Sequence, residues 1–285
     1  MPELPEVETI KNDLSKKILG KKITSIKISK SKIVKSSIVN FRKVLKNSYF
    51  EKIDRIGKLM IFILNKSDKF LLVHLKMTGQ LIYVSKKNII PGGHNYPKID
   101  KLPNKFSHII FTFSDNSKLF YNDIRRFGYL KIANQKELEE VFSNFGLDPI
   151  TNKFTKNDFL KILNSKKTNI KAFLLNQKYI AGIGNIYADE ILFDSKIKPS
   201  RNIYSLSRIE KEMIYFAIKK ILKKAIKMRG TTFSNYVDGK GNKGNFTKLL
   251  KVYQRENKKC FNCSRKIKKI RICGRGTHYC SNCQK

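Results

Sequence analysis

The chain has 285 residues, enough for two domains or one large one, and its 41% apolar content can supply real cores. Sixty Lys and Arg against 22 Asp and Glu give a formal net charge of +38, which points to a polyanionic partner. No apolar run approaches membrane-spanning length, and the start lacks a basic-then-apolar leader, so a soluble cytoplasmic protein with no membrane association is expected.

The first eight residues, Met1-Pro2-Glu3-Leu4-Pro5-Glu6-Val7-Glu8, place three carboxylates in a chain poor in acids. A small residue after the initiator methionine favours its removal. Removal would expose Pro2 as a terminus with a free secondary amine. An α-amino group has a pKa of about 8, against about 10.4 for lysine, so such an amine is a nucleophile near neutral pH. Flanking carboxylates could then act as proton donor and relay. The same residues also fit a plain helix start, with Pro5 at N1 and the acids at the positive end. On this segment alone both readings stand.

Residues 5–19 have helical spacing, with Val7, Ile10, Leu14 and Ile18 on one face. From about 23 to 133 the pattern becomes short strands with polar turns, which predicts a two-sheet β-sandwich. The stretch 85–106 holds three prolines and Gly92-Gly93 and reads as an exposed loop. Gly146 and Asp148-Pro149 mark an interdomain linker over 136–155. Helices are expected at 158–163, 170–175, 185–193 and 207–228, the last with Ile209, Met213, Phe216, Ala217, Ile221 and Ala225 inward. The glycine-rich polar segment 231–246 reads as a flap or as an ordinary loop.

Four segments carry chemistry-bearing residues. Gly57-Lys58 opens a strand and places an ammonium at its edge. The run from His74 to Gly79 ends a strand with Met77 at a turn. Asn122-Asp123-Ile124-Arg125-Arg126-Phe127-Gly128 joins two guanidinium groups to an aromatic at a strand end. Gly182-Ile183-Gly184-Asn185 is a glycine turn entering a helix, whose free N–H groups suit phosphate. Near the C-terminus Cys260-x2-Cys263-x16-Cys280-x2-Cys283 matches tetrathiolate zinc spacing. Two knuckles would close a tetrahedron around one structural ion, among six bases that include Arg275. Disulfides are disfavoured without a secretion signal. Cys273 is left over and reads as a small packing residue.

Taken together, PELPEVE at the start, HLKMTG, NDIRRFG, AGIGNIYADE, RGTTF and GRGTHYCSNCQ occur in one order along the chain. In these motifs the chain closely resembles the formamidopyrimidine-DNA glycosylase family, from Pro2 to Gln284. The resemblance implies an α+β multidomain fold. Its parts are an N-terminal β-sandwich with an N-terminal helix over 1–135, a linker over 136–155, a helix–two-turn–helix domain over 156–250 and a zinc finger over 251–285. DNA would run along a cleft between the domains.

The resemblance also implies roles. Pro2 is the expected nucleophile at C1′ of the damaged nucleotide, Glu3 the acid that protonates the sugar ring oxygen, and Glu6 its support. Lys58 matches a catalytic-site lysine near the lesion phosphate. Met77, Arg125 and Phe127 match a wedge that fills the hole left by a flipped base. Asn185 and Arg275 match grips on flanking phosphates, and His74 and Lys171 are further expected DNA contacts. The segment 231–246 corresponds to a loop that closes over the extruded base. The implied activity is removal of 8-oxoguanine and formamidopyrimidines from duplex DNA by a monomer, followed by β,δ-elimination at the abasic site. Zinc is the expected cofactor, and the setting is a bacterial cytoplasm, with the protein held to the nucleoid by DNA.

Two departures touch loops. Arg229-Gly230-Thr231-Thr232 stands where a second glycine is common, and Ile124 where proline is frequent. Two alternatives are weighed against this reading. One is the endonuclease VIII branch, which prefers oxidised pyrimidines. The other is a non-catalytic zinc-ribbon nucleic-acid binder, which accounts for charge and cysteines but not for an acidic start bearing Pro2.

Overall fold

Helix α1 (Leu4–Ile18) begins where the sequence supplies its cap. Glu3 is the N-cap, and Pro5 sits in the first turn, where a missing N–H costs nothing. The Glu6 carboxylate reaches back to accept the Glu3 N–H at 2.9 Å, one arm of a capping box. The expected apolar stripe, Val7, Ile10, Leu14 and Ile18, is fully buried.

The computed structural model describes every residue except 66–67, 87–88, 95–100, 232–235 and 238–244. The chain forms two units. The first comprises Met1–Ser143 and Met228–Thr247, the second Asn144–Lys227 and Lys248–Lys285.

The first unit is a sandwich of two antiparallel sheets. One sheet has the order β1 (Ile23–Ile28), β7 (Ser107–Phe113), β8 (Lys118–Asp123), β5 (Gly79–Val84), β6 (Ile89–His94) and β10 (Tyr236–Val237). The other has β2 (Phe50–Ile56), β3 (Leu59–Leu64), β4 (Phe70–His74) and β9 (Tyr129–Ala133). Between them pack Phe50, Phe62, Val73 and Leu130 of one sheet against Leu81, Phe111 and Tyr121 of the other. The stripe of α1 and Phe41 and Leu45 of α2 (Ile38–Leu45) join the same core.

Two connections cross between the sheets side by side. The chain leaves β4 at His74 and enters β5 at Gly79, and it leaves β8 at Asp123 and enters β9 at Tyr129. Because Gly79 pairs with Asp123 and His74 with Tyr129, both crossovers lie at one corner.

Three expectations meet a different arrangement here. The stretch read as loop from 85 contains strand β6, hydrogen-bonded to β5 from Ile89 to Gly93, while 95–100 lies outside the described residues. Prolines mark turns only where no partner strand accepts them, and Pro91 is accepted opposite Ile82. The stretch read as linker opens with helix α3 (Gln135–Ser143), which belongs to the first unit. The segment 228–247, expected beside the helical domain, likewise groups with the sandwich.

The second unit holds α4 (Lys156–Asn164), α5 (Ile170–Leu175), α6 (Asn185–Asp194), α7 (Arg208–Lys227) and the hairpin β11 (Lys268–Ile272) and β12 (Arg275–Tyr279). Thr155 caps α4 by accepting the Asp158 N–H at 3.1 Å, and Asn169 caps α5 by accepting the Ala172 N–H at 2.8 Å. The inward stripe of α7 is Ile214, Ile218, Ile221 and Ala225 rather than one starting at Ile209. Ala217, Ile221 and Ala225 are buried as expected, but Ile209, Met213 and Phe216 are exposed, at 74%, 37% and 58%. The reason is phase: a stripe begun at Ile209 runs into Lys220 and Lys224, whereas the one begun at Ile214 stays apolar.

Two adjacent acids of α6 hold the C-terminal segment. Asp189 accepts from Lys171 Nζ at 2.5 Å and from the His278 N–H at 2.9 Å, and Lys171 also donates to Thr277 Oγ1 at 2.7 Å. Glu190 accepts the N–H groups of Lys251, Val252 and Tyr253 at 2.9, 3.0 and 2.9 Å. Lys171 is therefore an interior residue, 0% exposed, and not the surface phosphate contact expected of it. Removing one partner of a buried pair leaves an uncompensated charge. Lys171→Met should cost about 3–5 kcal/mol in urea denaturation. A surface phosphate contact would instead lose DNA affinity at unchanged stability.

Candidate active site and nucleic-acid interface

In the first unit the chain turns inward directly after Met1, which is 42% exposed. Met1 precedes Pro2, which is buried, as are Glu3, Glu6 and Lys58. Burial holds the Met1 amine, the terminus of this chain, below its ordinary pKa. The Glu3 and Glu6 charges oppose this shift and the Lys58 charge adds to it, so all three act on the amine. The Gly57 turn, at φ +55°, sets Lys58 at the start of β3. The structure thus brings together the four residues expected to carry the chemistry.

Glu6 does more than support Glu3. Its Oε2 accepts the Glu3 N–H, while Oε1 accepts the Thr231 N–H at 2.8 Å and the Thr231 hydroxyl at 3.0 Å. One carboxylate thereby ties the chain start to the base of segment 231–246. Gly230 makes this approach possible: at φ +81°, an added Cβ would lie 2.7 Å from Glu6 Oε1. The departure at Arg229 has its own compensation. It adopts φ +62°, a conformation in which glycine is free, and its Nη2 pairs with Asp13 Oδ2 at 2.5 Å. Sequence reasoning missed Thr231 and Asp13 as partners, since nothing local links them to residues more than 200 positions away. The flap call itself, 231–246, falls mostly on residues outside the described ones. At its base, the N–H groups of Asn245 and Phe246 donate to the carbonyls of Met228 and Gly230 at 3.0 and 3.1 Å.

His74 closes β4 beside this cluster. Burial, then the charges of Lys76 and Lys58, hold its imidazole down to about 3. It is neutral at physiological pH, and its Nδ1 accepts the Lys76 N–H at 3.0 Å. It brings no positive charge to a phosphate and only one free N–H.

The two crossover loops carry the expected wedge. Met77 is 38% exposed and Phe127 54% exposed, and Arg125 lies with its guanidinium carbon 4.6 Å from the centre of the Phe127 ring. Beneath these tips, Asp123 and Thr78 are buried and hydrogen-bonded to each other, a pair not singled out in the sequence.

In the second unit, Gly184 is the N-cap of α6 and Asn185 its first residue. Asn185 Nδ2 donates to the Gly276 carbonyl at 2.9 Å, so it lies against the hairpin that carries exposed Arg275. These two expected phosphate contacts are brought together. Farther along, the Sγ atoms of Cys260, Cys263, Cys280 and Cys283 lie within 4.8 Å of one another, and none is disulfide-bonded. Cys263 and Cys280 are 3.4 Å apart, Cys260 and Cys283 3.9 Å. Thiolates around a tetrahedral ion at about 2.3 Å would be roughly 3.8 Å apart, so this four-sulfur set fits one metal ion with no ligand position to spare. His278 is spoken for by Asp189. Cys273 is exposed in the β11–β12 turn at φ +50°, so it is not the packing residue expected.

Among the described residues no helix is long and apolar enough to cross a membrane. Comparison with known proteins gives one answer along the whole chain. Residues 1–130 match the formamidopyrimidine-DNA glycosylase N-terminal domain, and residues 145–237 match the formamidopyrimidine-DNA glycosylase H2TH domain. Formamidopyrimidine-DNA glycosylase of Wolbachia sp. subsp. Brugia malayi is 38% identical over 284 residues, covering 100% of both chains. That of Carboxydothermus hydrogenoformans is 41% identical over 297 residues, again covering 100% of both. Among solved structures, Lactococcus lactis Fpg bound to DNA containing an abasic site is 32% identical, with TM-score 0.86 over 99% of each chain. The same protein bound to DNA containing N7-benzyl-Fapy-dG has TM-score 0.87 over 100% of each. A further complex holds DNA with an oxidised pyrimidine, at TM-score 0.87. The chain belongs to the formamidopyrimidine-DNA glycosylase family.

Proposed function

We propose that this protein is a base-excision-repair DNA glycosylase and abasic-site lyase that removes 8-oxoguanine and formamidopyrimidines from duplex DNA. The observation that carries this reading is the buried Pro2 next to the chain start, with Glu3, Glu6 and Lys58 all acting on the adjoining Met1 amine. Once Met1 is removed, the Pro2 nitrogen attacks C1′ of the lesion nucleotide. The N–C1′ bond forms as the glycosidic bond breaks, and the proton lost from the amine nitrogen balances the one taken up by the departing base. Glu3 protonates the ring oxygen, the sugar opens, and an iminium is left on Pro2. A secondary amine gives an iminium with no N–H to lose, so the cation persists and acidifies the 2′ hydrogen. Loss of that proton expels the 3′ phosphate, and a second elimination expels the 5′ phosphate. Chemistry at C1′ requires the nucleotide outside the stack. Met77, Arg125 and Phe127 fill the space it leaves, and Asn185 and Arg275 hold flanking phosphates. Borohydride reduction with lesion-containing duplex tests the reading directly: the protein should become covalently trapped on DNA. Running oxidised-purine and oxidised-pyrimidine duplexes in parallel tests the endonuclease VIII-like alternative, which the pyrimidine complex of the Lactococcus relative keeps in view.

The cysteine cluster is assigned one structural zinc ion, and the protein is read as a cytoplasmic monomer. Cys280→Ser, or metal removal by a chelator, should release one zinc, loosen the hairpin bearing Arg275 and weaken DNA binding. The circular dichroism of the sandwich should persist. Unchanged affinity in the metal-free protein would remove the module from DNA recognition.

Only an unprotonated amine attacks, and once Met1 is removed the Pro2 amine lies one residue from where burial lowers the Met1 amine. The acid limb of kcat/KM for excision should therefore fall below about pH 8. Lys58→Met removes a charge that lowers the Met1 amine and, with Pro2 as the terminus in the same place, should move that limb upward. A tag left on the N-terminus should abolish trapping while DNA binding survives, since binding draws on many phosphate contacts.

Extrusion of a paired base costs a few kcal/mol, less for a nucleotide already unpaired. Met77→Ala should slow excision of 8-oxoguanine from duplex markedly and cleavage of a preformed abasic site much less. Arg125→Ala should also weaken discrimination of the base opposite the lesion, because its guanidinium can bond the orphaned partner. Equal losses on both substrates would reduce these residues to a structural role.

A further inference from the structure

The two crossover loops at the corner of the sandwich are separate stretches of chain, 75–78 and 124–128, yet their buried bases share one set of hydrogen bonds. We propose that Thr78 and Asp123 are positioning residues that lock the Met77 loop to the Arg125–Phe127 loop, so that the two enter DNA as one rigid body. The inference rests on the wedge reading above and adds to it what holds the wedge in shape.

The Thr78 hydroxyl donates to Asp123 Oδ1 and accepts the Arg125 N–H at 3.0 Å. Asp123 Oδ2 accepts the Gly128 N–H at 2.8 Å, and the Asp123 carbonyl bonds His108 Nε2 at 2.7 Å. The carboxylate thus grips one loop through Thr78 and both ends of the other, through Arg125 by way of Thr78 and through Gly128 directly. Thr78 is 7% exposed and Asp123 1%, whereas the tips they carry are exposed. Gly128 lets the corner close: an added Cβ would lie 1.9 Å from Tyr121 Oη and 2.7 Å from the His74 carbonyl.

Backbone strain supports the same role. Lys76 at φ +47° and Arg126 at φ +56° are left-handed non-glycine residues, each one position before a wedge side chain, Met77 and Phe127. Such conformations persist only where the surroundings over-determine them. A wedge that entered as two loose loops would lose their conformational entropy on insertion; a pre-locked corner has already lost it in folding.

The chemistry of the lock is specific. A hydroxyl can both donate and accept, so Ser can replace Thr78 and Val cannot. Asn at 123 must lose one arm, because an amide NH2 cannot accept from either donor. Thr78→Val and Asp123→Asn should slow single-turnover excision of 8-oxoguanine from duplex by roughly tenfold, the weight of one or two hydrogen bonds. Cleavage at a preformed abasic site should stay within about twofold of the parent rate, and Thr78→Ser should retain duplex excision. Wild-type duplex excision by Thr78→Val, or equal losses on both substrates, overturns the proposal. Met77→Ala run alongside separates the two ideas. If it shows the selective loss and Thr78→Val does not, the lock falls and the wedge stands. If Met77→Ala shows no selective loss, the wedge reading falls and the lock with it.

Discussion

The Glu6 carboxylate is the point on which the candidate active site depends. A helix start leaves N–H groups without partners, and Glu6 satisfies one of them at Glu3 while its second oxygen reaches Thr231. A local requirement of helix α1 is thereby turned into a long-range tie. The residue that fixes the chain start also fixes the base of the segment that follows α7. Gly230 is needed because any side chain there would collide with that carboxylate. The terminal amine, buried in the same place, is left deprotonated more readily than an exposed one.

The distribution of charge follows the same economy. Among the described residues, eight of the chain's 22 acids are buried: Glu3, Glu6, Glu8, Asp13, Asp123, Asp148, Asp189 and Glu190. Lys58 and Lys171 are buried with them, and the Arg55 side chain is 3% exposed. Several of these acids hold backbone N–H groups or ion pairs, as Glu8 does with Arg55 at 2.7 Å. Scarce anions therefore organise the interior and abundant cations are left outside. The surface is more basic than the composition already indicates, which suits a partner carrying one phosphate per nucleotide.

Rigidity is placed at the corner from which the proposed wedge projects. Strands β5 and β8 are neighbours in one sheet, and β4 and β9 in the other, so the loops joining them are brought to a common corner by pairing alone. Small residues at Gly79 and Gly128 let the corner pack, with an added Cβ at Gly79 falling 2.5 Å from the Leu75 carbonyl. The polar pair beneath then fixes the loops to each other. Support comes from the paired strands, and Met77, Arg125, Arg126 and Phe127 are left exposed above them.

What the sequence determined by itself is local. Caps and period-3.6 patterns set α1 and α5, alternation set the sandwich, and the two Cys-x2-Cys pairs set a four-sulfur cluster, because each depends on neighbours a few positions away. The motifs also named Pro2, Glu3, Glu6 and Lys58, which the fold gathers in one place. The inward face of α7 was also written in the sequence, because only the stripe begun at Ile214 stays apolar along the helix, whereas the long-range pairs were left to the tertiary structure. It alone turned Lys171 inward to Asp189, brought Arg229 to Asp13 and joined Thr78 to Asp123. A lysine near a phosphate-binding motif and a lysine paired in the interior look alike in sequence. What separates them is a carboxylate that folding brings within hydrogen-bond reach from a distant part of the chain.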